Sequence, residues 1–128
     1  MKTYITILIS LLVLDIAWIG FVAKNFYQKH IGFIMAEKFA ITPAVIFYAL
    51  YAFGIMYFVV NPALAAKSLS SAVFRGALLG LLAYGAYDLT NQATLAKWPL
   101  KVTILDMAWG VVVTALVSTI AYLIISKI

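Results

Sequence analysis

The chain contains no cysteine, which excludes disulfide bonds, thiolate nucleophiles and sulfur-ligated metal centres. It has one histidine, His30, so no paired-histidine metal motif exists, and no glycine-rich phosphate loop occurs either. His30 stands in a basic, aromatic stretch and reads as an interface residue. Charge is also scarce, with nine Lys and Arg and four Asp and Glu making up 10% of the residues. The basic residues stand singly at helix ends and in loops. The net charge of +5 therefore reads as topology anchoring and contact with lipid headgroups, with no basic face for a nucleic acid. Linkers and low-complexity tracts are missing. The apolar run after Lys2 has bulky residues where a signal cleavage site needs small ones, so an uncleaved first helix is expected.

What fills the chain instead is apolar. Hydrophobic residues make up 66% and the mean hydropathy is +1.10, the signature of an integral membrane protein. A mass of 14.1 kDa allows one domain, residues 1–128, and leaves no room for a soluble catalytic module. Because about 20 helical residues match a hydrocarbon core of ~30 Å, four spans are expected, at residues 3–23, 43–60, 69–92 and 102–125. The fold class is all-α, a four-helix transmembrane bundle. Residues 24–41 mix lysines and Glu37 with Phe26, Tyr27, Phe33 and Phe39, which suits a short interfacial segment, or an extension of the first helix, between helices one and two. Thr42-Pro43 reads as a cap with proline in the first turn, Asn61-Pro62 as the stop of the second helix, and Trp98-Pro99 as the lead-in to the fourth. Lys24, Lys29, Lys38, Lys97 and Lys101 flank the first and third loops, against Lys2, Lys67, Arg75 and Lys127 toward the other side. That balance of five to four favours loops one and three in the cytoplasm, and its narrowness leaves dual insertion open.

Against this background, Asp15, Asp88 and Asp106 stand out. An acid at the bilayer centre costs roughly 2.5 to 3.5 kcal/mol on insertion scales, so an intramembrane acid is first a functional hypothesis. Two of them share a phrase, Leu14-Asp15-Ile16-Ala17-Trp18 and Leu105-Asp106-Met107-Ala108-Trp109. Loops one and three lie on one side of any four-span arrangement, and all three acids fall within about 14 Å of that boundary at helical rise. Helical spacing adds polar and aromatic neighbours: Tyr84, Tyr87 and Asn91 around Asp88, Trp18 beside Asp15, and Trp109 beside Asp106. The expected site is a small cavity with Asp15, Asp88 and Asp106 as its acids and Asn91, Tyr84, Tyr87, Trp18 and Trp109 as its walls. It would bind a proton, a small hard cation, or the cationic or polyhydroxyl part of a ligand. Adjacent carboxylates repel one another and are expected to titrate as a coupled group. The competing reading has each acid hydrogen-bonded to a nearby indole, phenol or amide and serving only to join helices.

Other features divide in the same way. Trp18 and Trp109 are either interfacial anchors or the site's indole donors and aromatic wall, whereas Trp98 reads as an anchor. Ala72, Gly76 and Gly80 follow small-xxx-small spacing, which serves internal packing or a homodimer. Arg75 lies about 20 Å along its helix from Asp88 and is expected to snorkel toward loop two. Oxygen donors alone would suit sodium, magnesium, calcium or manganese, but no metal or cofactor motif is present. Tyr87-Asp88 matches half of an intramembrane aspartyl protease signature, whereas Asp106 lacks the glycine-flanked context of the other half.

The tract from Tyr84 through Asp88, Asn91 and Leu95, continuing by Trp98-Pro99 to Asp106-Met107-Ala108-Trp109-Gly110, resembles a family of small predicted bacterial membrane proteins, domain of unknown function 2177. The resemblance takes in nearly the whole chain, including the phrase around Asp15. It implies a multi-pass, four-helix protein of the bacterial inner membrane and supplies no mechanism. The expected function is transport or ligand binding at the aspartate cluster, with membrane lipids and a proton, small cation or lipid-like ligand as partners. A membrane enzyme or accessory acting on a lipid-like substrate, with one aspartate as general acid or base, is the alternative; a structural assembly partner is the third.

Overall fold

In the computed structural model, which describes residues 1–38 and 40–128, every regular element is helical. Four helices are long and apolar enough to cross a membrane: α1, Lys2–Ile34; α2, Ile41–Ala66; α3, Leu69–Thr94; and α4, Leu100–Ser126. Helix α4 is central and touches each of the other three. The largest apolar cluster joins Ile7 and Leu11 of α1, Tyr51, Ile55, Val59 and Val60 of α2, and Val113, Val117 and Ala121 of α4.

Two helix ends lie more than a turn beyond the sequence expectation, and a π turn precedes each. After Trp18 the chain passes through a π turn at Ile19–Ala23, in which the Lys24 N–H bonds Ile19 O. It then continues as helix over Lys24–Ile31 and closes in a 3-10 turn at Gly32–Ile34. Most of the expected interfacial segment is thus an extension of α1. Its 33 residues correspond to about 50 Å at helical rise, more than the hydrocarbon requires. Phe39, also assigned to that segment, lies outside the described residues.

In α2, Pro62 does not end the helix. A π turn at Met56–Val60 precedes it, with the Asn61 N–H bonding Met56 O, and the wider turn eases the clash between a proline ring and the preceding carbonyls. The helix stops instead at Lys67, whose φ of 52° and ψ of 44° are left-handed. Lys67 N–H bonds Leu64 O at 3.2 Å and Ser68 N–H bonds Ala63 O at 3.1 Å, the paired bonds of a Schellman ending. Ser68 then caps α3 by accepting from Ser71 N–H at 3.1 Å. At the start of α2, Thr42 is inside the first turn and Ala40 is the cap, without a side-chain bond. Pro43 is accommodated there because first-turn N–H groups lack helical partners in any case.

Helices α3 and α4 pack through glycine. A Cβ on Gly80 would fall 2.1 Å from Gly110 O, and one on Gly76 would fall 2.8 Å from Ser118 Oγ. Ala72, Gly76 and Gly80 are therefore buried within this chain. The internal packing that this small-xxx-small spacing allows is made here, against α4. Trp98 departs from its reading as an anchor. It is only 6% exposed, and its Nε1 donates to Thr103 Oγ1 at 3.0 Å. Thr103 Oγ1 donates in turn to Gln92 Oε1 at 2.7 Å, and Gln92 Nε2 donates to Trp98 O at 2.9 Å. This closed circuit pins loop three between the ends of α3 and α4.

Candidate functional site

Asp15 lies on α1 where the helix meets α2 and α4, and it is 8% exposed. Its Oδ1 accepts from Trp109 Nε1 of α4 at 2.9 Å, and its Oδ2 accepts from the Tyr48 hydroxyl of α2. One carboxylate thereby ties three helices, each bond strengthened by the acceptor's charge. The Trp18 indole stacks on Trp109 with centroids 4.4 Å apart and planes within 5°. The two copies of the repeated phrase thus face each other across the α1–α4 contact.

Asp106 has a different environment. Its Oδ1 accepts from the Tyr27 hydroxyl at 2.7 Å, and Tyr27 belongs to the extension of α1 beyond the π turn. That turn explains the approach. Tyr27 follows Asp15 by 12 residues, which on a regular α-helix leaves it about a third of a turn off the aspartate's face. A π turn inserts roughly one extra residue without advancing the helix. The effective spacing becomes about 11 residues, close to three whole turns, and Tyr27 returns to the Asp15 face.

Asp88 is fully buried at 0% exposure. Among the described residues, neither of its carboxyl oxygens has a hydrogen-bond donor, and the Asp106 carboxyl lies against it. The Trp18 Nε1 is likewise buried without a partner. Most buried polar groups in folded proteins are paired, so these atoms mark the least satisfied part of the bundle.

A cavity of about 330 Å³ is lined by Asp15, Trp18, Tyr27, Tyr84, Asp106 and Trp109, with Lys24 and Met35 also on its wall. Asp106 borders two further hollows, one of about 340 Å³ with Phe47, Tyr84 and Tyr87 and one of about 310 Å³ with Tyr27, Tyr87 and Trp98. Tyr84 is fixed by packing its ring onto Gly110, where a Cβ would fall 2.2 Å from the ring. Five of the residues expected from sequence, Asp15, Asp106, Trp18, Trp109 and Tyr84, share the first cavity. Asp88 stands behind Asp106, and Tyr87 is 55% exposed beside the neighbouring hollows. Asn91 lines none of the three.

Tyr27 and Tyr48 are donors that sequence reasoning missed. Tyr27 required the π turn to be known, and Tyr48 sits on a helix that carries no acid. Among the described residues, no three Asp, Glu or His side chains converge closely enough to hold one metal ion. The arrangement offers carboxylate acceptors, aromatic faces and the Lys24 ammonium, with Tyr27 and Trp109 committed to the acids.

The fold and this cluster define a multi-pass, all-helical membrane protein whose spans meet around buried carboxyl groups. The chain belongs to the family described as "Predicted membrane protein (DUF2177)", whose model matches residues 1–123. No curated protein and no solved structure matches it.

Proposed function

We propose that this chain is a small ligand-binding or transport protein of the bacterial inner membrane, and that its occupant carries positive charge, either a proton or a small organic cation. The observation that carries the reading is Asp88, a fully buried carboxyl with no donor on either oxygen among the described residues, placed against the Asp106 carboxyl. Two adjoining carboxyls in a low-dielectric interior repel each other, and a shared proton or a nearby cation relieves both. Asp106 reaches the 330 Å³ cavity, so an occupant there can bear on the pair through it.

The aromatic lining favours the same sign of charge. Trp18, Trp109, Tyr27 and Tyr84 border the cavity, and aromatic faces attract cations, most strongly when water is excluded. Asp15, whose two oxygens are each engaged by a donor, serves as the fixed anchor of this wall. Asp106 and Asp88 are the responsive pair.

Thermal unfolding of detergent-purified protein tests the reading, with tetraethylammonium and a primary alkylammonium as probes and their neutral analogues as controls. A ligand that binds only the folded state raises the midpoint with concentration. Wild-type protein is expected to respond to the cations alone, and Asp106→Asn and Asp88→Asn are expected to lose the response while staying folded. Equal responses from all three proteins would overturn the assignment. Chemical conversion of a copurifying lipid would instead favour the enzyme alternative.

A further inference from the structure

We propose a second site, separate from the aspartate cluster: the groove between α2 and α3 holds one acyl chain of an anionic phospholipid, with the lipid phosphate on Arg75. The groove has a volume of about 320 Å³ and is lined by Phe58, Val59, Leu78, Leu79, Leu82 and Arg75. It is therefore an apolar trough with a single guanidinium at one end.

The depth of Arg75 fits a phosphate. It follows Leu69, the first residue of α3, by about 9 Å at helical rise, on a helix of about 39 Å. If that helix is centred across a hydrocarbon core of ~30 Å, the Arg75 Cα falls a few ångström inside the core. Helical side chains lean toward the N-terminus, which for α3 is the nearer membrane surface. Arg75 follows this rule, since its Nε donates to Ser71 Oγ one turn back at 3.1 Å. The guanidinium is thereby raised to the boundary where lipid phosphates begin, and its planar fork is suited to bind phosphate oxygens.

Nothing among the chain's acidic side chains can neutralise it. Asp88 is about 20 Å further along the same helix. Asp15 and Asp106 gather at that distant end, and Glu37 lies in the segment joining α1 to α2, on the opposite side of the membrane from the α2–α3 turn. A guanidinium that snorkels to this boundary meets headgroup phosphates, and with no acidic side chain competing for it the counter-anion comes from outside the side chains. The apolar floor running down from Arg75 selects a lipid over a free anion. From Arg75 to Leu82 it extends about 10 Å, parallel to the direction of a lipid tail.

Native mass spectrometry of protein released from mixed phosphatidylglycerol and phosphatidylcholine nanodiscs tests this site. Wild-type protein is expected to retain phosphatidylglycerol in preference to phosphatidylcholine, and absence of any preference would overturn the proposal without recourse to a variant. Arg75→Gln should lose the preference and Arg75→Lys should keep part of it. Leu82→Trp, which fills the trough, should release the lipid while leaving the charge in place. Inorganic phosphate should raise the unfolding midpoint far less than short-chain phosphatidylglycerol; equal protection by both would show an anion site without a lipid groove and would also overturn the proposal. Asp88→Asn and Asp106→Asn should retain phosphatidylglycerol as wild type does, which separates this outcome from that of the cation site.

Discussion

Trp109 of α4 donates its indole N–H to Asp15 of α1 at 2.9 Å, while the Trp18 indole, three residues from that aspartate, lies flat on the Trp109 ring. The two Leu-Asp-x-Ala-Trp phrases are thus engaged crosswise, but only in one direction. The reciprocal bond, from Trp18 to Asp106, is not made. Tyr27 occupies Asp106 instead, and Trp18 Nε1 remains without a partner. This asymmetry divides the acids into an anchored one, Asp15, and a pair, Asp106 and Asp88, whose needs are met incompletely.

Anchoring at Asp15 predicts a stability loss when its donors are removed. Trp109→Phe keeps an aromatic ring for the stack and deletes the N–H, while Tyr48→Phe deletes only the hydroxyl. Hydrogen bonds to charged groups contribute about 1.5–3 kcal/mol, so each variant should unfold that much more easily in SDS or thermal titrations. The double variant should lose less than the sum, because both donors serve one carboxylate.

Asp88 predicts the opposite sign. Asp88→Leu replaces a buried, unsatisfied carboxyl with an apolar side chain of similar size, and leaving such a group unpaired costs about 1–3 kcal/mol. The variant should be more stable than wild type by that order while losing the response to organic cations. Unfolding midpoints and cation titrations on the same preparation check both halves.

The α3–α4 contact predicts a contrast between two glycines. Gly80→Ala would place a methyl 2.1 Å from Gly110 O, and overpacking of this kind costs about 1–3 kcal/mol or more. Gly54 has open space around the added carbon, so Gly54→Ala should be neutral or gain up to about 1 kcal/mol from helix propensity. SDS unfolding of the two variants side by side reads the difference.

The turn between α2 and α3 predicts a gain. Lys67 holds a left-handed conformation that costs a non-glycine residue roughly 1–2 kcal/mol. Lys67→Gly should raise unfolding free energy by about 1 kcal/mol, measured in the same way.

The number of spans and the candidate acids were legible in sequence for the same reason: apolar runs of spanning length reveal helices, and an aspartate inside one is conspicuous. Helical phase placed Trp18 beside Asp15 and Trp109 beside Asp106 along their own helices, but the indole bond runs between helices, from Trp109 to Asp15. What escaped was whatever depended on a π turn. Pro62 looked like a stop because the turn that accommodates it leaves no residue signature, and Tyr27 was read only as part of the interfacial segment for the same reason. Tyr48 escaped because a tyrosine on an acid-free helix resembles any lipid-facing aromatic. Asn91 was assigned to the cavity by spacing alone, and α3 carries it past the three hollows around Asp106.

Tryptophan fluorescence provides the most direct test of the central proposal, because Trp18 and Trp109 border the cavity while Trp98 lines an adjoining hollow instead and is fixed in its own hydrogen-bond circuit. Titrating tetraethylammonium into wild-type protein should give a saturable change in emission. That change should shrink in Trp109→Phe, where Trp18 alone still reports on the cavity, vanish in Asp106→Asn and persist in Trp98→Phe. A saturable signal unaffected by Asp106→Asn, or no signal with any organic cation, would contradict an organic cation as the occupant of the aspartate cluster.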